Sequence, residues 1–202
     1  MNYEAELFKV APWTKDVMTA AKDLNNSSIM RGRSGWIKRR IENPESIYEH
    51  SCKVGLAAHY LLGSPSAVSI AVVHDLSEIY EKDYLPGEIS SEEKRQKEIK
   101  SMKKASEQLP NGKLWFGAWM TYEYKAGEGK VIYELDKMCP VIQSIDYLHQ
   151  GKGENLEEFY LNARNKITTP KLIELLDIFW LGGNRHKNVY KNYFKTLESI
   201  KY

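Results

Sequence analysis

The sequence is poor in cysteine and in long apolar runs, and each scarcity excludes a class of protein. Its 202 residues include two cysteines, Cys52 and Cys139, too few for the disulfide scaffold that stabilises many small secreted proteins. No apolar run is long enough to span a bilayer. Residues 1–6 lack the basic and apolar regions of a signal peptide, so we expect a protein of the reducing cytoplasm.

An excess of charge of one sign is also missing. The chain has 29 basic and 27 acidic residues, and its formal net charge is +2. This balance removes the main reason to expect a membrane surface or a stable nucleic-acid partner. A hydrophobic fraction of 42% is typical of a folded protein, and the length favours a single domain over residues 1–202. Within it we expect the chemically informative part at about 30–150, with the helices of 151–202 packed onto it.

The seven prolines lie mostly where helices are expected to begin or end. A side chain able to cap a helix precedes proline at three places, which are Asn43-Pro44, Ser64-Pro65 and Thr169-Pro170. Between these marks the apolar residues recur with helical spacing, and no strand-like alternation is sustained. We therefore predict an all-α fold with helices at about 14–25, 44–63, 66–80, 91–108, 113–123, 129–149, 154–165, 170–181 and 186–200.

Three groups of polar residues fall on helix faces that are otherwise apolar. His50 lies on the stripe Ile47, Val54, Ala57 and Leu61, where a hydrogen-bonded core histidine and a metal ligand are both possible readings. His74-Asp75 follows the largely apolar run 69–73, where buried charge must be paired or bind a metal. The alternative is a histidine that is hydrogen-bonded to a backbone carbonyl and an aspartate that caps a neighbour.

Asp136 is the third, and it shares a helix face with Ile132. Pro140 crowds the carbonyl of Asp136 and predicts a kink there, either as a packing accident or as a means of directing the carboxylate. Two imidazoles and two carboxylates suit a divalent first-row ion. Glu78, one turn beyond His74 and Asp75, is either an exposed surface glutamate or, beside a metal-bound water, a candidate acid or base. Asp83 is either a turn residue or a group at the mouth of the site.

These residues resemble those of the HD-domain metal-dependent phosphohydrolases. A His is followed by a His-Asp pair 24 residues later and by an Asp a further 61 residues on. Within that family the chain is similar to the subgroup of bacterial 5′-deoxynucleotidases and eukaryotic HD domain-containing protein 2. The blocks that carry the resemblance are Arg33-Ser34-Gly35-Trp36, Pro44-Glu45-Ser46-Ile47-Tyr48-Glu49-His50, Val73-His74-Asp75-Leu76-Ser77-Glu78 with Asp83, and Leu135-Asp136-Lys137-Met138-Cys139.

The resemblance implies roles for six residues of these blocks. The metal ligands would be His50, His74, Asp75 and Asp136. Glu78 would be the catalytic carboxylate, and Asp83 would contact the sugar or hold the catalytic arrangement. The family further implies one divalent ion such as Mn²⁺, Co²⁺ or Zn²⁺, a homodimer, and removal of the 5′-phosphate from nucleoside monophosphates.

The substrate contacts are expected in the basic segment 31–40, which contains five cations and one tryptophan. Bacterial members of the subgroup have an arginine directly before the tryptophan that matches Trp36, whereas this chain has Gly35. The phosphate would then be bound by Arg33 or Arg39, and Trp36 would stack on a base or form a wall of the pocket. A solvated basic patch with a packing tryptophan is the alternative.

Two other functions remain open at this point. Hydrolysis of a nucleoside triphosphate or of guanosine tetraphosphate would use the same centre, although the glutamate-aspartate pair of the alarmone hydrolases is replaced by Glu78-Ile79. Binding of RNA or another polyanion without chemistry would use segment 31–40 alone.

Overall fold

The computed structural model describes residues 9, 11, 30–81, 83–85, 87–109, 111–153 and 156–185. Its regular elements over these ranges are all helical, which confirms the predicted all-α class. They are, in chain order, α1 Ser34–Lys38, α2 Ile47–Leu62, α3 Pro65–Val73, a 3-10 helix Leu76–Ile79, α4 Ser91–Gln108, α5 Gly112–Glu123, α6 Glu128–His149, α7 Glu157–Lys166 and α8 Pro170–Arg185.

Capping residues explain most of the helix boundaries, and they correct one prediction. Ser64 caps α3 before Pro65, and α8 begins at Pro170, as predicted. The predicted start at Asn43-Pro44 is wrong, because Asn43 has a φ of 49°, whereas an N-cap has extended backbone. Ser46 caps α2 instead, so that helix begins at Ile47.

The predicted helix 66–80 is interrupted. α3 ends at Val73, His74 and Asp75 form a turn, and a 3-10 helix follows. Helical spacing alone predicts a continuous helix, since the apolar pattern passes through the break. The turn places the His-Asp pair at the junction of two elements. The two side chains therefore do not lie on the face of one continuous helix.

Helix α6 lies at the centre of the fold. It contacts α2, α3, α5, α7 and α8, and it continues through Pro140. The main core is formed by apolar side chains of these helices, among them Val54, Ile70, Ile132, Leu135 and Leu175. A second cluster packs α4 against α5 and the 3-10 helix, and includes Met102 and Trp119.

The segment 30–46, before α2, has regular structure that the sequence did not predict. It contains the unpredicted short helix α1, and an antiparallel bridge joins Gly32 to Ser46. The predicted helices 14–25 and 186–200 lie outside the described residues. Over the residues described, no helix is both long and apolar enough to cross a membrane.

Candidate metal centre and active-site cavity

His50 enters the site from the first turn of α2, where a capping box fixes the backbone. The Ser46 side chain accepts from the Glu49 N–H, and the Glu49 carboxylate accepts from the Ser46 N–H. The His50 side chain is completely buried. Its Nε2 lies 2.9 Å from Oδ1 of Asp136, so α2 and α6 meet at this pair.

His74 is oriented by the end of α3. We place a proton on its Nδ1, because the neighbouring Ala71 carbonyl, 2.6 Å away, can only accept. Nε2 therefore faces the site, 3.3 Å from Asp75 Oδ2 and 3.6 Å from Asp136 Oδ1. This nitrogen is buried and has no hydrogen-bond partner among the described residues.

The two oxygens of Asp136 have different neighbours. Oδ1 faces the two imidazoles, whereas Oδ2 accepts from the Tyr122 hydroxyl and from the Lys137 ammonium, each at 2.6 Å. Tyr122 and Lys137 were not predicted as site residues. Lys137 is detectable in the sequence only as the neighbour of Asp136, and nothing in the sequence connects Tyr122, on α5, with this carboxylate.

The donor set fits a divalent ion. One ligand atom each from His50, His74 and Asp136 lies within 4.8 Å of the others, and all three side chains are buried. Asp75 adds a carboxylate oxygen 3.9 Å from His50 Nε2. Nitrogen and carboxylate donors of this kind suit first-row divalent metals, and the buried Nε2 of His74 faces the same point.

The electrostatics of the cluster agree with a cation at its centre. Burial alone would lower the pKa of His74, but the carboxylates of Asp75 and Asp136 outweigh it and raise that pKa to about 10. Burial would raise the pKa of Asp136, but Lys137 and the two histidines hold it well below its usual range. The carboxylates thus favour the protonated, positively charged form of His74. A metal ion bound at the same point would displace that proton.

Glu78 lies in the 3-10 helix and lines the same cavity as Asp75 and Asp136. The side chain is buried. Burial, followed by the negative charges of Asp75 and Asp83, raises its pKa well above the usual glutamate value. A carboxyl group held in this way suits an acid or base beside a metal-bound water.

The cavity beside these residues has a volume of about 520 Å³ and opens to solvent. Its wall includes His74, Asp75, Glu78 and Asp136 from the candidate centre. Cations from three helices and two connecting segments complete the wall, and these are Arg33, Lys94, Lys125, Lys137 and Lys166. The volume is within the range of small-molecule sites. A wall with both carboxylates and cationic side chains suits an anionic ligand that also contacts a metal cation.

Asp83 connects the loop after the 3-10 helix to the basic segment. It lines the cavity, and its Oδ2 accepts from the Ser34 N–H at 2.8 Å. Arg33, the preceding residue, also lines the cavity, and its Nη1 is buried without a hydrogen-bond partner among the described residues. Burial would lower the pKa of Arg33, but nearby carboxylates, Asp75 first, raise it above its usual value.

The other two predicted substrate contacts, Trp36 and Arg39, are placed differently from Arg33. Trp36 is 1% exposed, stacks on Phe159 with ring centroids 4.2 Å apart, and so has no free face for a base. It forms a wall of the cavity, the second of its predicted roles. Arg39 does not line the cavity, because its guanidinium donates to the Gly35 carbonyl, pairs with Glu158 and lies over the Phe159 ring. Neither Cys52 nor Cys139 lines the cavity.

Comparison with known proteins agrees with the site. The family model of the HD domain matches residues 30–178. The 5′-deoxynucleotidase HDDC2 of Xenopus laevis is 29% identical over 158 residues, covering 73% of this chain and 78% of its own. The 5′-deoxynucleotidase hdd1 of Schizosaccharomyces pombe is 33% identical over 141 residues, covering 63% of this chain and 71% of its own.

A solved structure shows the same fold. The PH0347 protein from Pyrococcus horikoshii OT3 superposes with a TM-score of 0.62 at 22% identity, covering 82% of this chain and 98% of its own. At that identity the likeness establishes the architecture alone. The match extends past residue 150, where the sequence motifs end.

Proposed function

The chain belongs to the HD-domain family, and from this premise we propose that it is a metal-dependent 5′-nucleotidase acting on (deoxy)ribonucleoside 5′-monophosphates. The observation that carries the proposal is the convergence of His50, His74 and Asp136 on one buried point beside a cavity that Arg33 and Glu78 also line. The printed activity of the relatives, 5′-deoxynucleotidase, supports the phosphomonoester as the substrate class.

The metal would be held by His50, His74, Asp75 and Asp136, and we propose Mn²⁺, Co²⁺ or Zn²⁺. When bound, such an ion acidifies a coordinated water and offsets charge on a phosphate. Tyr122 and Lys137 hold Oδ2 of Asp136, so Oδ1 remains directed at the two histidines.

Arg33 would bind the phosphate through its buried guanidinium, whose Nη1 is without a partner among the described residues. Glu78 would exchange the proton that the reaction requires, either with the attacking water or with the leaving alkoxide. Asp83 would act indirectly, because its carboxylate fixes the Ser34 N–H beside Arg33.

The direct test measures phosphate release by the purified protein, stripped of metal and reloaded with each ion. Nucleoside mono-, di- and triphosphates form the panel. We expect release from 5′-monophosphates, and deoxyribonucleotides test whether the sugar matters. If no monophosphate is hydrolysed with any ion, the assignment is wrong, and hydrolysis confined to triphosphates would favour the other nucleotide activity.

Two substitutions separate metal binding from proton transfer. Asp75→Ala should lose metal and activity together, whereas Glu78→Gln should keep the metal and lose turnover. Metal content is measured by elemental analysis and turnover by phosphate release. Glu92→Gln, an exposed residue of α4, is the matched control and should leave both unchanged. A fully active Glu78→Gln variant would contradict the catalytic role of Glu78.

We also propose that residues 1–202 form one domain, that this domain forms a homodimer, and that the protein acts in the cytoplasm. These proposals rest on the family resemblance. Light scattering coupled to gel filtration measures the assembly. A monomeric mass at micromolar concentration would contradict the dimer.

A further inference from the structure

Glu45 is a buried carboxylate outside the candidate metal centre, in the loop before α2. It is 5% exposed. Its Oε1 accepts from the Lys53 ammonium at 2.9 Å, and its Oε2 accepts from the Trp36 indole N–H at 3.3 Å. A buried charge with two donors of this kind is held in one position, because leaving either oxygen unpaired is costly.

The backbone of Glu45 is bound as firmly as its side chain. Its N–H donates to the Tyr147 hydroxyl at 2.7 Å, which ties the loop to α6. Its carbonyl accepts from the Arg33 N–H at 2.9 Å. Glu45 therefore contacts the segment 33–36 at both ends, at the Arg33 backbone and at the Trp36 side chain.

The backbone at Arg33 has little conformational freedom, because the residues that follow it are also held in place. Asp83 holds the next residue through the Ser34 N–H, and Trp36 is fixed by stacking on Phe159. The guanidinium nevertheless has a buried Nη1 without a partner among the described residues. An arginine that is fixed along its backbone but unsatisfied at its tip is preorganised for an anion in the cavity.

We propose that Glu45 is a positioning residue, which holds Arg33 in the orientation that binds the substrate phosphate. This inference rests on the proposed function and names a residue that acts through another one. Glu45 does not line the cavity, so it does not touch the substrate. Lys53, on α2, balances its charge, and Tyr147 fixes its backbone relative to the helix that carries Asp136.

The test is a double-mutant cycle on Glu45 and Arg33. Glu45→Ala should raise KM by about tenfold, the effect of misdirecting one charged hydrogen bond, with a much smaller change in kcat. In an Arg33→Met background the same substitution should change KM little, since the group that Glu45 positions is gone. Glu45→Gln should recover part of the loss, because it keeps an oxygen for the Trp36 indole.

A matched control separates positioning from stability. Glu134 is another buried glutamate, bonded to Thr168 far from Arg33 in the sequence. Glu134→Ala should lower Tm and leave KM unchanged. Glu45→Ala would have the same two effects if the role of Glu45 were purely structural. If Glu45→Ala does not fold, Trp36→Phe takes its place in the cycle. This substitution removes the indole N–H that donates to Glu45 and keeps a packed ring.

Binding of inorganic phosphate to the Mn²⁺-loaded protein, measured by calorimetry, makes the test independent of turnover. We expect Glu45→Ala to weaken phosphate binding when Arg33 is present and not when it is absent. Additive effects of the two substitutions, in KM or in phosphate affinity, would overturn the positioning role. Absence of nucleotide hydrolysis by the unmodified protein would instead overturn the proposed function, while the calorimetric cycle would still decide the role of Glu45.

Discussion

At the scale of the residue, the two carboxylate oxygens of Asp136 have separate roles, and these determine how the site can bind a metal. A carboxylate with both oxygens free could turn toward either side, but the Tyr122 hydroxyl and the Lys137 ammonium occupy Oδ2. Oδ1 is therefore left for the imidazoles and for a metal. Groups that orient a metal ligand in this way commonly change metal affinity by about 10–100-fold.

Tyr122→Phe tests this arrangement with the loss of a single hydroxyl group. We expect metal affinity to fall by about tenfold, with Tm nearly unchanged, because the ring still packs against the core. Competition with a metal indicator measures the affinity. Tyr133→Phe is the matched control, since that ring lies in the same wall but forms no described hydrogen bond to Asp136. Equal affinities in both variants would contradict the role of Tyr122.

At the scale of the element, the turn after α3 and the start of α6 bring the ligands together. α6 approaches α5 closely at Gly129, where an added Cβ would lie 2.1 Å from the Thr121 carbonyl oxygen. Asp136 follows two turns later on the same helix. The position of α6, and with it the position of Asp136, thus depends on a residue without a side chain.

Gly129→Ala should destabilise the protein by about 1–3 kcal/mol, because the backbone of α5 has to move away. Gly117→Ala is the matched control in α5, where an added Cβ has no neighbour within 4 Å. That change should stabilise the protein by about 0.5–1 kcal/mol, as alanine is the better helix former. Urea unfolding followed by circular dichroism measures both. A neutral Gly129→Ala would show that α5 and α6 are not in close contact there.

At the scale of the whole molecule, α6 also connects the site to the last helices. Glu134, two residues before Asp136, is buried and accepts from both the N–H and the hydroxyl of Thr168, at 3.0 and 2.8 Å. Thr168 precedes α8. Glu134 thus ties the segment before α8 to α6, the helix that also carries Asp136.

The pH dependence of stability tests this connection. Burial would raise the pKa of Glu134, but hydrogen bonds from Thr169 and Thr168 outweigh it and lower that pKa below 4.5. A carboxylate with a lowered pKa in the folded state stabilises above its unfolded pKa, and this contribution is lost as the pH falls through its folded pKa. Relative to Glu134→Gln, the protein should gain free energy of unfolding at pH 6, and the gain should shrink below pH 4.5.

Chemical denaturation between pH 3 and 7 gives this difference directly, with the ionisation of the other groups common to both proteins. A difference that is independent of pH would contradict a lowered pKa at Glu134. A difference that grows toward acid pH would mean that folding raises the pKa of Glu134, and it would exclude the hydrogen bonds from Thr168 and Thr169 as the dominant cause.

Patterns along the chain were sufficient to predict the all-α class, most helix boundaries and the candidate ligands. Those features depend on local spacing: prolines and caps end helices, and His50, His74-Asp75 and Asp136 stand out as polar residues on apolar faces. The break at His74 was not predictable in this way, because a 3-10 helix of four residues is too short for its spacing of three to be distinguished from the 3.6-residue spacing of an α-helix.

Which of the predicted side chains face the cavity depends on tertiary packing. It directed Arg33 into the wall and Arg39 away from it, and it turned Trp36 from a possible base-stacking group into a buried wall residue. It also brought Tyr122 to Asp136 and Glu45 to Arg33 and Trp36. Such contacts join helices or loops whose relative position follows from packing of the core. The spacing of residues along one element does not predict which residues of another element will contact it.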